Sequence, residues 1–251
     1  VRPPDINLSQ ADFSVVFDTD EEPSSAKGHI RFGLKAIKGA GAKAIESIIT
    51  ERDTPAGDEI ASKKPYSSLF DFTERVPPGT VNKATIEALV KAGCFDSVHG
   101  RDRRSSMVAT IEQAVSAGQR AAQDKAAGQN QLFGFGGGAD DAPAAAQTEE
   151  TPLASAPAWT ESETLRQEKD TLGFYVSSHP LEEWADWTKV FCRLSCSTLK
   201  QQPQDKRVVL PALVQSVRTI VTKSGRSAGQ KMGILMLEDT TGTAEAVMFS
   251  N

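Results

Sequence analysis

From Gly134 to Pro157 the chain offers Gly-Phe-Gly-Gly-Gly and then a run of Ala, Pro, Asp, Glu, Gln and Thr with almost no bulky apolar side chain. Such a stretch cannot bury enough apolar surface to offset the entropy of ordering it, so it reads as a flexible linker between two modules. Folding must be organised on either side of it. The 251 residues are 39% apolar and 24% charged, with mean hydropathy −0.35. That permits a packed core and excludes both a membrane bundle and a wholly disordered chain.

Periodicity places the elements. Asp12-Phe13-Ser14-Val15-Val16-Phe17 alternates, and His29-Ile30-Arg31-Phe32 does so again after an acidic turn, which predicts a β-hairpin. From Leu34 the pattern becomes helical. Ile37-Lys38-Gly39-Ala40-Gly41 interrupts two apolar-striped segments, the second carrying Ala44, Ile45, Ile48 and Ile49, so helix, tight turn and helix are expected. Residues 53–65 read as loop. Ser68 with Asp71 has the form of a capping box opening a helix over Leu69–Val76, which Pro77-Pro78-Gly79 breaks. A further helix from Asn82 carries Ile86, Leu89 and Val90 on one face and ends at Gly93. An Ala-rich amphipathic helix follows through Met107, Ile111, Val115 and Ala122. Beyond the linker, Ser162–Leu172 reads as helix. Val208–Val221, Lys231–Leu237 and Thr243–Phe249 read as a three-strand meander. The expected fold class is α+β.

The formal charge of −5 is unevenly spread: residues 1–22 hold one Arg against six acids, residues 134–164 hold six acids and no base, and the remainder is basic. The folded parts therefore tolerate a polyanionic partner that the overall pI of about 5.4 disfavours. Ile37 to Gly41 has what a phosphate needs. Two glycines permit positive φ and remove Cβ atoms from the approach, while backbone N–H groups and the next helix's N-terminus supply donors. Lys38, Gly39, Ala40, Gly41 and Lys43 are the candidate DNA-binding residues. They resemble the hairpin of the helix-hairpin-helix DNA-binding motif, which reads backbone rather than base sequence. The competing reading is a plain glycine turn between helices. A second hairpin at Pro77-Pro78-Gly79 has a single glycine and is better suited to packing.

Gln129-Asn130-Gln131-Leu132-Phe133 follows the Gln-x-x-Leu-Phe pattern of peptides that resemble bacterial sliding-clamp ligands. With 13 Gln, 15 Leu and 11 Phe, chance supplies the pattern about 0.03 times in this chain. Leu132 and Phe133 would fill a pocket while the Gln129 amide fixes orientation; the alternative is an apolar anchor packed on the preceding helix. The β segment resembles the opening strands of an OB-fold, with Arg218, Lys223, Arg226 and Lys231 near one loop as candidate nucleic-acid contacts. Single-strand binding by such folds needs aromatic platforms, and Phe249 is the one available there.

No catalytic constellation emerges. Cys192 and Cys196 lack a second Cys pair or a His at zinc spacing, Cys94 stands alone, and an odd thiol count fits a reducing compartment, read as cytoplasmic. His29, His99 and His179 are isolated, the last a turn or packing residue before Pro180. The acid pairs Asp140-Asp141 and Glu149-Glu150 lie in the linker, where nothing would fix two metals. No metal site and no membrane span are expected.

Several short runs together carry a wider likeness: Pro3 to Asn7, Ile30 to Leu34, Ile37 to Gly41, Ser68 to Phe72, Val81 to Lys83, Lys91 to Asp96, Leu172 to Tyr175, Ser178 to Leu181, and Leu237 to Asp239. In order and spacing the chain resembles the bacterial C-family replicative polymerases, the DNA polymerase III alpha subunits. The resemblance implies a tandem helix-hairpin-helix region, a clamp-binding peptide and part of an OB domain, cut from a longer chain. It further implies a DNA-directed nucleotidyltransferase whose palm carboxylates hold two Mg²⁺ ions outside this segment, leaving the segment inactive alone and without a cofactor of its own. The implied partners are duplex DNA, the sliding clamp, other replicase subunits and single-stranded DNA through the OB part. Ala40 stands where the family often has Val, and Cys94 where it often has Ala.

The expected organisation is then a finger-end hairpin over 1–33, a tandem hairpin domain with its long helix over 34–128, the clamp peptide at 129–135, a linker over 136–158, a helical connector over 159–206 and a truncated OB-fold over 207–251. Two other readings compete. A damage-tolerance paralogue of the alpha subunit would commonly lack an intact clamp peptide. A non-enzymatic duplex-binding scaffold is opposed by the missing initiator Met and the unfinished barrel.

Overall fold

Helices from both sides of the low-bulk stretch share one core. The computed structural model describes residues 1–17, 28–54, 64–126, 151–222 and 229–249, and these form two compact units, Val1–Ser177 and Ser178–Asn251. The division falls inside the segment expected as a connector rather than at the linker. Its cause is the helix at 161–172, whose Leu165 and Leu172 are buried, Leu172 within the main core.

In the first unit, strands β1 (Ser14–Val16) and β2 (His29–Arg31) pair antiparallel with Val15 opposite Ile30, and Arg2 adds a bridge to Arg31. A single 3₁₀ turn, Leu34–Ala36, follows in place of the helix expected there. Ile37 leaves helical conformation to bury its side chain, and the glycines beyond it give a helix nothing to propagate on. Helix α1 (Ala42–Asp53) then packs Ile45 and Ile48 inward. Its last turn carries the buried Arg52, which donates to the Ile6 and Ser9 carbonyls at 3.1 and 2.7 Å and so fastens the N-terminal stretch. Burial of a guanidinium is tolerable because Asp53 and those carbonyls satisfy it.

Helix α2 (Leu69–Arg75) opens on Ser68, whose hydroxyl accepts from the Asp71 N–H at 3.0 Å. Helix α3 (Lys83–Lys91) opens on Asn82, which accepts from Thr85 N–H at 2.8 Å. It ends in a Schellman arrangement: Gly93 has φ +86°, and Cys94 N–H returns to the Leu89 carbonyl. The short α4 (Asp96–His99) leads to the long α5 (Arg104–Ala126), and α6 (Glu161–Leu172) closes the unit. Tyr66, Phe72 and Phe95 meet edge to face at 5.1 and 5.2 Å between centroids, the aromatic centre of the core.

In the second unit, a 3₁₀ turn (Pro180–Trp184) runs into α7 (Ala185–Phe191), α8 (Cys196–Leu199), and a meander of β3 (Leu213–Val221), β4 (Lys231–Asp239) and β5 (Gly242–Phe249) in the order β3-β4-β5. Strand β3 starts five residues later than its apolar run suggests, after Pro211, which lacks the N–H a ladder requires. His179 caps the 3₁₀ turn through Nδ1, which accepts from the Leu181 N–H, so the turn reading of that residue stands. Asp239 ends β4 and joins it to α8: its carboxylate accepts from Cys196 N–H at 2.6 Å, Thr241 N–H at 2.8 Å and Gly242 N–H at 3.1 Å.

Candidate nucleic-acid interface

The first hairpin is a β-turn closed by the Ala40 N–H on the Ile37 carbonyl at 3.1 Å. Gly39, at the third position, has φ +87°, the value a type II turn demands and side-chain-bearing residues avoid. Ile37 anchors the turn at 2% exposure, whereas Lys38, Gly39, Gly41 and Lys43 are exposed. Four of the five candidate residues are therefore exposed around the start of α1, while Ala40 is half-buried and packs against the core.

That helix start is chemically distinctive. The first four N–H groups of any helix lack intrahelical partners. Ser68, Asn82 and Thr160 cap α2, α3 and α6 with their side chains, but α1 begins on Gly41, which has no side-chain cap, and its first turn holds no acid. A Cβ built on Gly41 would meet nothing within 4 Å, so the approach is open. The helix's first N–H groups and its positive end lie between two exposed lysines in the chain, Lys38 and Lys43, a combination suited to a phosphate. Not every amide is available: Ala40 N–H closes the turn, and Lys38 N–H donates to the Thr171 carbonyl at 2.9 Å.

The second hairpin repeats the turn and omits the opening. Thr80 N–H returns to the Pro77 carbonyl at 3.2 Å with Gly79 at φ +82°, but Asn82 caps the helix that follows, and Lys83 is paired with Glu112 at 2.7 Å. This hairpin supports the first from beside it. Thr85 on α3 donates its hydroxyl to the Gly39 carbonyl at 3.2 Å, and Ser47 on α1 meets Thr80 at 3.5 Å. Nearby, Lys35 and Glu46 pair at 2.8 Å; their hydrogen bond raises the lysine's pKa and lowers the carboxyl's.

Other candidates are dispersed. Gln129, Leu132 and Phe133, with Lys223 and Arg226, lie outside the described residues. Arg218 pairs across the sheet with Ile234 and Lys231 with Val221; strand alternation puts them on opposite faces, so these two bases do not form one patch. Arg218 shares its face with Ile234, Val247 and Phe249. A feature unmarked in the sequence appears on α7, where Trp187 and Phe191 stack with ring planes 12° apart while remaining 64% and 65% exposed. Their i, i+4 spacing was the available signal.

Residues 1–106 match the family described as helix-hairpin-helix motif, the class that the paired turns already define. Beyond that span the likeness continues. The chain is 36% identical over 247 residues to DNA polymerase III subunit alpha of Neisseria meningitidis serogroup A, 34% over 255 residues to that of Thermus aquaticus and 32% over 252 residues to that of Vibrio cholerae. These alignments cover 98, 99 and 100% of this chain. The chain is thus homologous along nearly its whole length to DNA polymerase III alpha subunits, and it spans 18 to 19% of theirs.

Proposed function

We propose that this chain grips duplex DNA by its phosphate backbone, as part of a DNA-directed DNA polymerase of chromosome replication, and tethers that enzyme to the sliding clamp. The observation that carries the first half is the uncapped start of α1 at Gly41, flanked by the exposed Lys38 and Lys43 and held on the glycine turn. Phosphate contacts of this kind position a protein on DNA without selecting sequence. The tether is the pentapeptide Gln129 to Phe133. A short peptide that orders on binding reaches roughly micromolar affinity, and simultaneous engagement of DNA and clamp raises retention by about 10² to 10⁴.

Nucleotidyl transfer and its two Mg²⁺ ions belong, in this reading, to other parts of the polymerase. Among the described residues no group of three His, Cys, Asp or Glu side chains is placed to hold a metal. Among them, too, no helix is long and apolar enough to cross a membrane. The proposed setting is the cytoplasm, with other replicase subunits, and with single-stranded DNA at the OB-like sheet.

Fluorescence anisotropy with labelled duplexes tests the grip. Lys38→Ala and Lys43→Ala should each weaken binding equally for all sequences and reduce the slope of log affinity against log salt by about 1. A loss that depends on sequence, or an unchanged slope, rejects backbone gripping. Phe133→Ala or Gln129→Ala should weaken retention by purified clamp and leave duplex binding alone.

A further inference from the structure

We propose that the C-terminal end of α6 is a positioning element for the phosphate-gripping hairpin, so that duplex affinity depends on residues far beyond the matched motif. This rests on the duplex-binding reading above. The motif match ends at residue 106, whereas α6 occupies Glu161–Leu172. Two contacts join it to the hairpin. Lys38 N–H donates to the Thr171 carbonyl at 2.9 Å, which supplies one of the partners that the last carbonyls of a helix otherwise lack. Gly173, in left-handed conformation with φ +92°, lies beside the lysine stem: a Cβ built there would come into ordinary van der Waals contact, 3.8 Å from both Cε and Nζ of Lys38, so the backbone angle rather than lack of space calls for glycine. The ammonium thus rests beside the negative end of α6.

What fixes α6 is a buried polar node. Glu168, 1% exposed, sits 3.6 Å from the guanidinium of Arg104 and also accepts from Val176 N–H at 2.9 Å, Ser177 N–H at 2.7 Å and Ser177 Oγ at 2.7 Å. Arg104 is itself held by Asp96 at 2.8 Å and by the Lys91 carbonyl. At the other end of α6, Arg101 grips Glu161 through two bonds of 2.7 and 2.8 Å. A helix fixed at both ends presents Thr171 and Gly173 at a constant place. Backbone orientation at Lys38 is set from there rather than by the turn alone.

The test uses the full chain with Gly173→Val, Gly173→Asn and the wild type. Asn tolerates left-handed conformation and Val does not. Gly173→Val should lower duplex affinity about tenfold and reduce the salt slope by about 1, with rapid hydrogen exchange at the Lys38 amide. Gly173→Asn should restore all three. A merely structural helix end would lower the melting midpoint yet leave the affinity and slope of the folded protein as in wild type, and that result overturns the proposal. Should Gly173→Val fail to fold, Gly173→Ala is judged by the same criteria. If wild type itself ignores duplex DNA, the duplex-binding reading fails and this inference goes with it. If wild type binds and Gly173→Val binds equally, this inference fails alone.

Discussion

Thr85 and Gly39 are 46 residues apart, yet the threonine hydroxyl donates to the glycine carbonyl at 3.2 Å, tying α3 to the crest of the first hairpin. Because Thr85 is buried, Thr85→Val keeps the volume and leaves that carbonyl without this donor. The expected cost is about 1 kcal/mol of unfolding free energy. Urea denaturation followed by circular dichroism measures it, and an unchanged midpoint would remove the bond from any role in holding the hairpins together.

Gly41 separates a structural role from a functional one. Its φ of −67° and ψ of 141° suit any residue, and an added Cβ meets nothing. Gly41→Asp supplies the cap that α1 lacks, so stability should rise by a few tenths of a kcal/mol. The same carboxylate occupies the anion position and repels phosphate, so duplex affinity should fall at least about tenfold. Anisotropy alongside thermal melting reads both. Affinity that holds steady while stability rises would mean the helix start does not face DNA.

The three thiols should differ sharply. Cys94 is wholly buried and its thiol is pushed well above the ordinary value, first by burial and then by Asp5 and Asp96. Cys196 is also buried, and its thiol is raised by burial and by Asp239. Cys192 is partly exposed. Thiolate is the reactive form, so at mildly alkaline pH a chromogenic disulfide should titrate one thiol quickly in the native chain and three after denaturation. Fast reaction of two or more native thiols contradicts the burial.

Much of this was legible in the sequence where a local rule acts alone. The Ser68 cap, the Asn82 start and the Gly93 stop are each set by one side chain or one backbone angle, and the structure has all three. Gly39, at φ +87°, announced the turn for the same reason, whereas Gly41, expected to share the positive φ, sits at −67° and is not required by the turn. What the sequence could not convey were relations across distance. No local pattern places Thr171 under Lys38, or makes α6 part of the helical unit despite the low-bulk stretch before it. The 3₁₀ turn at Leu34–Ala36 replaced a helix because the core claims Ile37, a tertiary demand that overrides periodicity. Arg218 and Lys231 look adjacent in composition and sit on opposite faces because strand parity, not proximity, decides the side.

The last prediction concerns acid. Burial raises the pKa of Asp239, but hydrogen bonds from Cys196 N–H and from the Thr241 hydroxyl and N–H outweigh it, and the carboxyl ends below its ordinary value. A lowered folded value means that the native state binds this proton less tightly than the unfolded chain does. Its stabilisation is therefore complete above the unfolded pKa of about 3.9 and is lost as pH falls through the folded value. Asp239→Asn keeps the shape but points one amide N–H₂ at donors, which should cost about 1–3 kcal/mol near pH 7. It should also flatten the acid dependence of amide protection at Cys196 and Thr241, while amides of α3 and α5 in the first unit stay as in wild type. Hydrogen exchange at graded pH reads both units in one chain. Equal acid sensitivity in wild type and Asp239→Asn would show that this carboxylate does not fasten the corner between α8, β4 and β5.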